Sequence, residues 1–562
     1  MSSAWVRGTP TRQLRPVDAV GVFAVALVAR LVQLLHGGAA TGANGYDQSV
    51  YYAAADAVLH GRVPYRSDFV FLHPPGIIFA GLPYALLGRL TDASTGFLAE
   101  NIAFSVLASC AAALITVVAR RAGAPRWAAI GAGVVYATWS ITVYGGSSAR
   151  LEPLGDLLMV VAAYFLGPGR NPSRQHLVAA GLVLGLLVNV KVWWILPGAM
   201  LVALTLPHRH RVREWSVVPV AAAATALLID LPFMLMSHGH MFVDVIAAQL
   251  RRPDVQITPS GNQGRLSTMV RLERLTGVDA VMHRLFGISA HDRGLAVPLV
   301  TLMVCALVLV TSALALRTRL GRVFAPILLA QLVVLLATPI YYPYYGDYLG
   351  VSVALVVAAA ARPTGSRPTL SWRATWPTSW PALWPMLWPV GAVLTLFLLL
   401  TSPPSYGLRR APDSETLARP TGDIPCIVAD TPWALIDLNA LDRSFEPGCR
   451  DWVDFQGVGH GGVDPAAYVV GDRATPAWRR IVSRYLASGD AVVLSDPATS
   501  KLLTRHRSRV LLRRPLVAYS KGVLVLRSLG PGTCRTTSQV SFCPAPAPVS
   551  AESGRRIQVA GR

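Results

Sequence analysis

Long apolar segments are the feature that most limits what this chain can fold into. Of its 562 residues, 53% are hydrophobic and only 14% are charged, whereas ordinary soluble domains carry about 25% charged residues. An apolar helix of roughly 20 residues is long enough to cross a bilayer. Such segments lie near 17–36, 97–119, 127–145, 153–167, 177–206, 215–236, 295–316, 323–341, 347–361 and 386–402. The pattern predicts a polytopic membrane protein that is mainly α-helical.

Arginine residues between the apolar segments predict how the chain is oriented. Arg7, Arg12 and Arg15 precede the first segment, and positively charged loops favour the cytoplasmic side, so we expect a cytoplasmic N-terminus. If the long segment at 177–206 crosses the membrane twice, the later arginine clusters between segments fall on that same side. The chain then has about eleven spans and an extracytoplasmic C-terminal region. This placement also explains the net charge of +21 without a nucleic-acid partner.

Two long external loops follow from this orientation, at about 37–96 and 237–294. The first contains a short apolar segment at 75–90, interrupted by proline and glycine, which indicates a re-entrant or interfacial helix and not a span. The second is rich in arginine and includes Arg251 and Arg252. These arginines either face solvent and anionic lipid headgroups or form a cationic wall that binds a substrate phosphate.

The composition becomes polar after Pro403 and Pro404, which marks a second domain. One helical pattern and three short strand patterns predict a small α/β or α+β domain outside the membrane. The patterns lie at 466–470, 476–488, 491–494 and 522–527. The final residues are rich in Ala, Pro, Ser and Arg, which favours disorder. We therefore divide the chain into a transmembrane domain, an extracytoplasmic domain and a disordered tail, at 1–404, 405–540 and 541–562.

Four cysteines lie in the polar C-terminal region: Cys426, Cys449, Cys534 and Cys543. An even number of cysteines in an extracytoplasmic domain predicts disulfides. Near neighbours close small loops most readily, which favours pairing Cys426 with Cys449 and Cys534 with Cys543, although the count alone allows three pairings. Metal binding is the alternative, and the sequence contains no C-x-x-C pair to support it.

The first external loop combines an acid, two tyrosines and a histidine at the expected membrane–water boundary. Residues 45–52 read GYDQSVYY and residues 71–76 read FLHPPG, with a Gly-x-x-Pro-Tyr turn between them. This order resembles the first external loop of the GT-C glycosyltransferases, most closely the protein-mannosyltransferase and aminoarabinose-transferase branch that uses polyprenyl-phosphate sugars. The resemblance covers about residues 17–200. It implies an inverting sugar transfer on the external face of a bacterial plasma membrane.

The resemblance implies that Asp47 is the catalytic base. Inverting transfer needs a base that accepts the proton of the acceptor hydroxyl as its oxygen attacks the sugar. In a helix predicted at 46–60, Tyr51 lies one turn from Asp47 on the same face, whereas Asp56 faces the opposite side. We therefore expect Asp56 to be structural. The alternative role for Asp47 is that of a helix N-cap.

The same loop departs from the family's pattern at one position. A second acid commonly follows the first, and Gln48 stands at that place in this chain. The sequence therefore lacks the adjacent carboxylate pair that would suit a metal ion, and we predict no cofactor, with a divalent cation left open. His73 and Tyr51 are the substrate-binding residues predicted for this loop.

Two charged positions in the membrane region add to the predicted site. Glu152 lies with Arg150 where the second short external loop meets the next span. The resemblance to enzymes with an acid in this loop implies a second catalytic acid, with Arg150 contacting substrate. The alternative is an Arg150–Glu152 surface pair or a helix cap. Lys191 is the only lysine of the membrane region. A lysine at this depth indicates a functional role, which we predict to be contact with the donor phosphate, and snorkelling to the interface is the alternative.

A tyrosine-rich turn, YYPYYGDY at 341–348, supplies the last predicted contacts. Tyr344 and Tyr345 are placed to stack on a sugar or to donate hydrogen bonds to phosphate. An aromatic belt at the membrane interface explains the same residues equally well.

These features together predict a membrane glycosyltransferase of GT-C type. It would take a mannose- or arabinose-type sugar from a polyprenyl-phosphate donor and transfer it to a cell-envelope glycan, lipid or protein, in contact with membrane lipid. A flippase or transporter for a lipid-linked glycan is one alternative, although transporter sites usually lie at mid-bilayer between internal repeats and the sequence shows no such repeat. A membrane scaffold whose C-terminal domain binds wall polymer is the other.

Overall fold

The structure, a computed structural model, consists mainly of helices. It describes residues 16–35, 46–65, 69–167, 172–205, 216–250, 256–257, 263–264, 267–279, 281–282, 294–338, 341–361, 417–449, 451–459, 469–470, 473–474, 476–495, 514–520, 523–527, 536–537 and 540–541. The predicted span at 386–402 and the predicted tail at 541–562 lie outside this part of the chain, apart from Ser541.

Fifteen helices form the described part of the region before residue 362. The first nine are α1 (Pro16–Leu35), α2 (Tyr46–Leu59), α3 (Gly76–Leu90), α4 (Ala93–Arg121), α5 (Arg126–Thr138), α6 (Ser140–Gly146), α7 (Leu151–Leu166), α8 (Arg174–Val190) and α9 (Ile195–Thr205). The others are α10 (Val217–Met236), α11 (His240–Leu250, with a π-helical turn), α12 (Thr268–Thr276), α13 (Ala296–Ala315), α14 (Arg319–Ala337) and α15 (Gly350–Ala360). A 3₁₀ helix, Pro343–Leu349, precedes α15.

Five of the helices in the described part of the chain are long and apolar enough to cross a bilayer. They are α1, α4, α10, α13 and α14, and the number rises to six if α5 and α6 together make one bent span. The predicted total of about eleven spans therefore stays a prediction. The segment 75–90, predicted to be too short to span, is the 15-residue helix α3.

Small side chains let the membrane-region helices pack closely. Ala26 of α1, Ala111 of α4, Ala132 of α5, Ala163 of α7 and Ala358 of α15 are all fully buried in one continuous core. Close approach of helix backbones through small residues is typical of membrane interiors, where lipid supplies no hydrophobic drive for association.

The apolar segment predicted at 127–145 is broken in the structure. The backbone of Trp139 is extended, with φ −61° and ψ 123°, and it separates α5 from α6, whose axes differ by 61°. Thr142 contributes to this break because its hydroxyl donates to the main-chain oxygens of Tyr136 and Trp139. Periodicity alone gave no sign of this bend.

A second break places Lys191 between two helices. Helix α8 ends at Val190, the Lys191 backbone is extended, and a 3₁₀ turn at Val192–Trp194 leads into α9. Two glycines permit the surrounding packing: a Cβ on Gly76 would lie 2.5 Å from the Asn189 carbonyl oxygen, and a Cβ on Gly155 would lie 2.3 Å from the Trp194 indole nitrogen. The start of α3 and the wall of α7 are thereby brought against this break.

The described C-terminal part contains a four-stranded sheet whose strands, in spatial order, are β3 (Ile427–Ala429), β6 (Ala491–Leu494), β8 (Val523–Arg527) and β7 (Leu516–Ser520). Strand β3 pairs in parallel with β6, and the other neighbours are antiparallel. Among the described residues, three further antiparallel pairs have strands of two residues each. They are β1 (Gln256–Ile257) with β2 (Gln263–Gly264), β4 (Val469–Val470) with β5 (Arg473–Ala474), and β9 (Thr536–Thr537) with β10 (Val540–Ser541).

Four short helices accompany this sheet: α16 (Pro432–Asp437), α17 (Leu441–Ser444), α18 (Phe455–Gly459) and α19 (Pro476–Tyr485). Helix α19 is amphipathic and buries Trp478, Val482 and Tyr485. A disulfide joins Cys426 to Cys449, with their Cα atoms 5.4 Å apart, whereas Cys534 and Cys543 lie outside the described residues. We refer to the described residues from 417 to 527 as the C-terminal unit.

The C-terminal unit packs against the segments around α2 and α4. The Arg62 guanidinium donates to the carbonyl oxygens of Phe445 at 2.8 Å and Cys449 at 3.0 Å. The amide of Ala93 donates to the Asn439 side chain at 2.9 Å. Apolar residues of both parts belong to one buried cluster, so the C-terminal unit lies on the same side of the helical bundle as α2.

Candidate active site

A cavity lies where α2, the His-Pro-Pro segment, the start of α7, the break at Lys191, the tyrosine-rich turn and the C-terminal unit meet. Its volume is about 30 Å³. The lining residues are Tyr46, Asp47, Tyr51, Leu72, His73, Leu151, Glu152, Lys191, Tyr342, Tyr344, Tyr345, Asp454 and Gly457.

Asp47 lies in the first turn of α2 and lines this cavity. Its Oδ2 accepts a hydrogen bond from the Tyr344 hydroxyl. In the described part of the chain this carboxylate thus accepts from a phenol and forms none of the salt bridges. An ionised carboxylate has about four lone-pair sites, so capacity is left for a substrate hydroxyl.

Tyr51 lies one turn after Asp47 and lines the same cavity, as the helical spacing predicts. Its ring meets the Phe71 and His73 rings edge-on, with centroids 6.2 and 5.5 Å apart. Burial raises the pKa of the Tyr51 phenol well above its ordinary value, and the Asp47 and Glu152 carboxylates add to the shift. Tyr51 therefore stays protonated and is a hydrogen-bond donor at neutral pH.

Lys191 and Glu152 form a buried ion pair. The Lys191 ammonium donates to Glu152 Oε1 at 3.0 Å, and the two side chains are 6% and 2% exposed. The ammonium also lies 4.0 Å from the centroid of the Trp193 ring and 4.2 Å from that of Tyr345. The ionic partner of Glu152 in this structure is therefore Lys191 and not Arg150.

Arg150 is buried but lies behind the cavity wall. Its guanidinium stacks 4.4 Å from the Tyr144 ring centroid and 4.3 Å from that of Tyr344, and it donates to the Tyr144 carbonyl oxygen at 3.3 Å. Since Tyr344 in turn binds Asp47, Arg150 supports the residue that orients the predicted base. The structure does not place it among the lining residues, where a direct substrate contact was predicted. Arg251 and Arg252 lie outside the described residues.

Asp56 takes no part in the cavity. Its Oδ1 accepts from Arg89 Nε at 3.0 Å, and Arg89 also donates to the Leu59 carbonyl oxygen at 3.1 Å. Burial, with a smaller contribution from the Asp442 carboxylate, raises the pKa of Asp56 to about 6, although Arg89 opposes the shift. Asp56, His60 and Asp442 bring ligand-type atoms within 4.8 Å of one another, and the Arg89 guanidinium supplies positive charge to this group.

The sequence gave no indication of the cavity residues that come from the C-terminal unit. Asp454 immediately precedes α18, and its Oδ1 accepts from the Tyr46 hydroxyl at 2.9 Å and from the Gly457 amide at 2.7 Å. Tyr46 and Asp454 are 408 positions apart, so no local pattern relates them. Tyr46 was part of the quoted motif but was assigned no role, and Tyr342 was treated only as a member of the tyrosine-rich turn.

Comparison with protein-family models and with curated proteins gives no match. Among solved structures, the fold is similar to that of ArnT from Cupriavidus metallidurans bound to undecaprenyl phosphate, at 14% sequence identity, covering 92% of this chain and 98% of that chain with a TM-score of 0.54. The apo state of ArnT is similar at 16% sequence identity, covering 90% of this chain and 97% of that chain with a TM-score of 0.55. The archaeal oligosaccharyltransferase AglB from Archaeoglobus fulgidus, in complex with an inhibitory peptide and a dolichol-phosphate, is similar at 12% sequence identity. That match covers 85% of this chain and 69% of that chain with a TM-score of 0.51. These likenesses confirm the predicted GT-C fold, and at such identities they establish the fold alone.

Proposed function

We propose that this chain is an inverting glycosyltransferase that moves a mannose- or arabinose-type sugar from a polyprenyl phosphate to a hydroxyl of a cell-envelope acceptor. The observation that carries this proposal is a single cavity in which a carboxylate, Asp47, and an ammonium, Lys191, lie between apolar helices and a polar C-terminal unit. The fold likeness supports it, because both ArnT and AglB have been solved with polyprenyl-type phosphates bound.

Asp47 would act as general base in this reaction. The acceptor oxygen attacks the anomeric carbon of the donor sugar while its proton passes to a carboxylate oxygen of Asp47. The bond between the anomeric carbon and the phosphate oxygen breaks, and polyprenyl phosphate leaves with that electron pair. Attack opposite the leaving group inverts the anomeric configuration.

Binding of the leaving phosphate falls to Lys191 with the phenols of Tyr51 and Tyr345. Glu152 already accepts from Lys191, and the ammonium has three donors, so it can contact phosphate without giving up that partner. The lining carries three carboxylates, those of Asp47, Glu152 and Asp454, against this one ammonium. Additional positive charge is therefore required, and the arginine-rich loop containing Arg251 and Arg252 is our candidate source.

The orientation of the protein is part of the proposal. The C-terminal unit contacts α2 through Tyr46 and the segment after α2 through Arg62. We therefore place both on one side of the membrane, and the arginine pattern favours the extracytoplasmic side of a bacterial plasma membrane. A reporter active only in the cytoplasm, fused after residue 404, should be inactive. An active reporter would rule out this orientation and an external acceptor site.

The test of the activity is transfer by the purified full chain in lipid nanodiscs. Polyprenyl-phosphate [³H]mannose or [³H]arabinose is the donor, and the envelope fraction of cells lacking the protein is the acceptor. We expect labelled acceptor with inverted anomeric configuration, and about 10²–10⁴-fold slower labelling with Asp47→Asn. Movement of the labelled lipid between leaflets without a covalent product would instead indicate a flippase. Binding of wall polymer without donor turnover would indicate a scaffold.

A further inference from the structure

Three ionisable side chains lie buried among the membrane-region helices, outside the cavity lining. Arg30 of α1, Asp156 of α7 and Asp347 of the tyrosine-rich turn are each 0% exposed. Asp156 lies one helical turn after the cavity residue Glu152. Ionisable groups at membrane depth are rare and usually have a function, and the proposed reaction has so far used none of these three.

Two glycines of α6 bring two of the three side chains together. A Cβ on Gly145 would lie 2.6 Å from Asp347 Oδ2, and a Cβ on Gly146 would lie 2.7 Å from Arg30 Nε. The Arg30 guanidinium also donates to the carbonyl oxygen of Thr142, in the same helix, at 3.4 Å. Asp347 and Arg30 therefore pack against neighbouring positions of α6.

Asp156 completes the group. Its Oδ2 accepts from the Tyr136 hydroxyl at 2.8 Å, and the Arg30 guanidinium lies 5.2 Å from the centroid of the Tyr136 ring. The carboxyl groups of Asp156 and Asp347 contact each other, and both interact through space with Arg30. Apart from this mutual contact, neither oxygen of Asp347 accepts a hydrogen bond from the described part of the chain.

The charges of this group balance if the two carboxyl groups keep one proton between them. Lys191 and Glu152 neutralise each other, and Arg30 is the cation that interacts with both aspartates. Two carboxyl groups in contact and buried from water do not both ionise, because like charges repel and neither is solvated. One carboxylate and one neutral acid match the single guanidinium, and the O–H of the acid can donate to the carboxylate.

The tyrosine-rich turn carries two contacts of the proposed reaction. The Tyr344 hydroxyl donates to Asp47, and the centroid of the Tyr345 ring lies 4.2 Å from the Lys191 ammonium. Asp347 belongs to the same 3₁₀ helix as both tyrosines. A contact that holds Asp347 against α7 therefore fixes the backbone from which the two phenols extend.

We infer that Asp156 and Asp347 share one proton, and that this acid–carboxylate pair positions the tyrosine-rich turn against α7 for the proposed transfer. Both aspartates are positioning residues, because they act through Tyr344 and Tyr345 and do not line the cavity. The inference rests on the proposed transferase function and adds two residues that support its geometry.

Asparagine variants test the shared proton through stability. Asp156→Asn or Asp347→Asn alone leaves one carboxylate for Arg30, and the new amide donates to that carboxylate as the acid did. The two substitutions together leave Arg30 without a carboxylate, and a buried charge that has lost its partner strongly destabilises a protein. We expect the midpoint of thermal unfolding in detergent to fall far more in the double variant than the two single variants together predict.

Infrared difference spectra give a direct readout of the same proton. Compared with the unmodified protein, Asp156→Asn and Asp347→Asn should each lose one carbonyl band of a protonated carboxylic acid. Either substitution has this effect, because the aspartate that remains becomes the carboxylate that balances Arg30. Protonated acids elsewhere in the chain cancel in the difference.

Transfer by the full chain in nanodiscs tests the positioning role. Asp347→Ala should lower turnover per folded molecule about tenfold or more, since it removes a hydrogen bond to a charged group. Gly145→Ala, which displaces Asp347 but keeps its charge, should follow it, whereas Asp347→Asn should retain most of the turnover. Asp18→Ala is the matched control, because Asp18 binds Arg126 near the start of α1, and its turnover should be normal.

The possible failures are distinguishable. An unchanged acid band, or a double variant no less stable than the single variants predict, would exclude the shared proton. Equal loss of turnover in Asp347→Asn and Asp347→Ala would exclude it as well. Normal turnover by Asp347→Ala would exclude the positioning role. If the unmodified protein transfers no sugar, the proposed function and the positioning role both fail, and the unfolding and infrared measurements still decide whether the proton is shared.

Discussion

The two ends of α2 carry the same residue type in opposite roles. Asp47, in the first turn, lines a cavity and is held by the Tyr344 phenol. Asp56, nine residues later, is buried against Arg89 beside the C-terminal unit. A phenol leaves a carboxylate able to accept a proton or a substrate hydroxyl, whereas a guanidinium neutralises it. The partner that the fold supplies, and not the residue type, separates the proposed base from the structural acid.

Replacing each aspartate by asparagine should produce the largest difference. Asp47→Asn keeps size and capping ability, because asparagine caps helices about as well as aspartate, but it cannot accept the proton of the acceptor. We expect transfer to fall about 10²–10⁴-fold. Asp56→Asn should retain most turnover per folded molecule. Initial rates in nanodiscs, normalised to folded protein by size-exclusion chromatography, measure both, and near-normal turnover by Asp47→Asn would exclude Asp47 as base.

The ion pair beside the cavity gives the second test, on stability and donor binding together. Lys191→Met leaves the Glu152 carboxylate buried without its ionic partner, and breaking such a pair typically costs about 3–5 kcal/mol. Lys191→Met with Glu152→Gln removes both charges and should recover much of the stability. We expect thermal unfolding in detergent to show this recovery, while the donor KM of the double variant stays raised. A double variant with normal donor KM would show that Lys191 is structural.

Removing the Cys426–Cys449 disulfide tests whether this covalent bond stabilises the C-terminal unit. It closes a loop with a sequence separation of 23 residues, for which chain entropy predicts about 3 kcal/mol of stabilisation. Since Cys449 also accepts from Arg62, Cys426→Ser with Cys449→Ser should loosen the contact with the segment after α2. Limited proteolysis should then cut between residues 426 and 449 faster than in the unmodified protein. Equal cutting rates would mean that packing alone holds this segment.

The smallest expected effect is a pH dependence of stability that arises from Asp56. Its folded-state pKa of about 6 exceeds the ordinary value near 3.9, so the folded protein binds more protons than the unfolded chain between these values. The free energy of unfolding should therefore fall as pH rises from about 4 to about 6, by at most about 1.4 kcal/mol per pH unit. Chemical unfolding at several pH values should show this slope in the unmodified protein and lose it in Asp56→Asn.

The spacing of residues along the sequence predicted one part of the candidate site. The positions of its other residues depend on tertiary packing. The helical period placed Asp47 and Tyr51 on one face, and the first span predicted at 17–36 is Pro16–Leu35. Lys191 and Glu152 were each singled out, but their pairing depends on the break after α8 and on Gly155 admitting Trp194. Asp454 was missed, because its place in the cavity depends on how the C-terminal unit docks and no nearby residue signals this.

The contact between Tyr46 and Asp454 has a consequence for the newly made protein. The two residues are 408 positions apart, and ribosomes add about 5–20 residues per second, so roughly 20–80 s separate their synthesis. Throughout that interval α2 and its acidic first turn are present in the membrane without their covering unit. A nascent chain that stalls before Asp454 can thus insert its early helices and yet lack this part of the cavity lining. The cavity would be complete only when the C-terminal unit has been made and has docked.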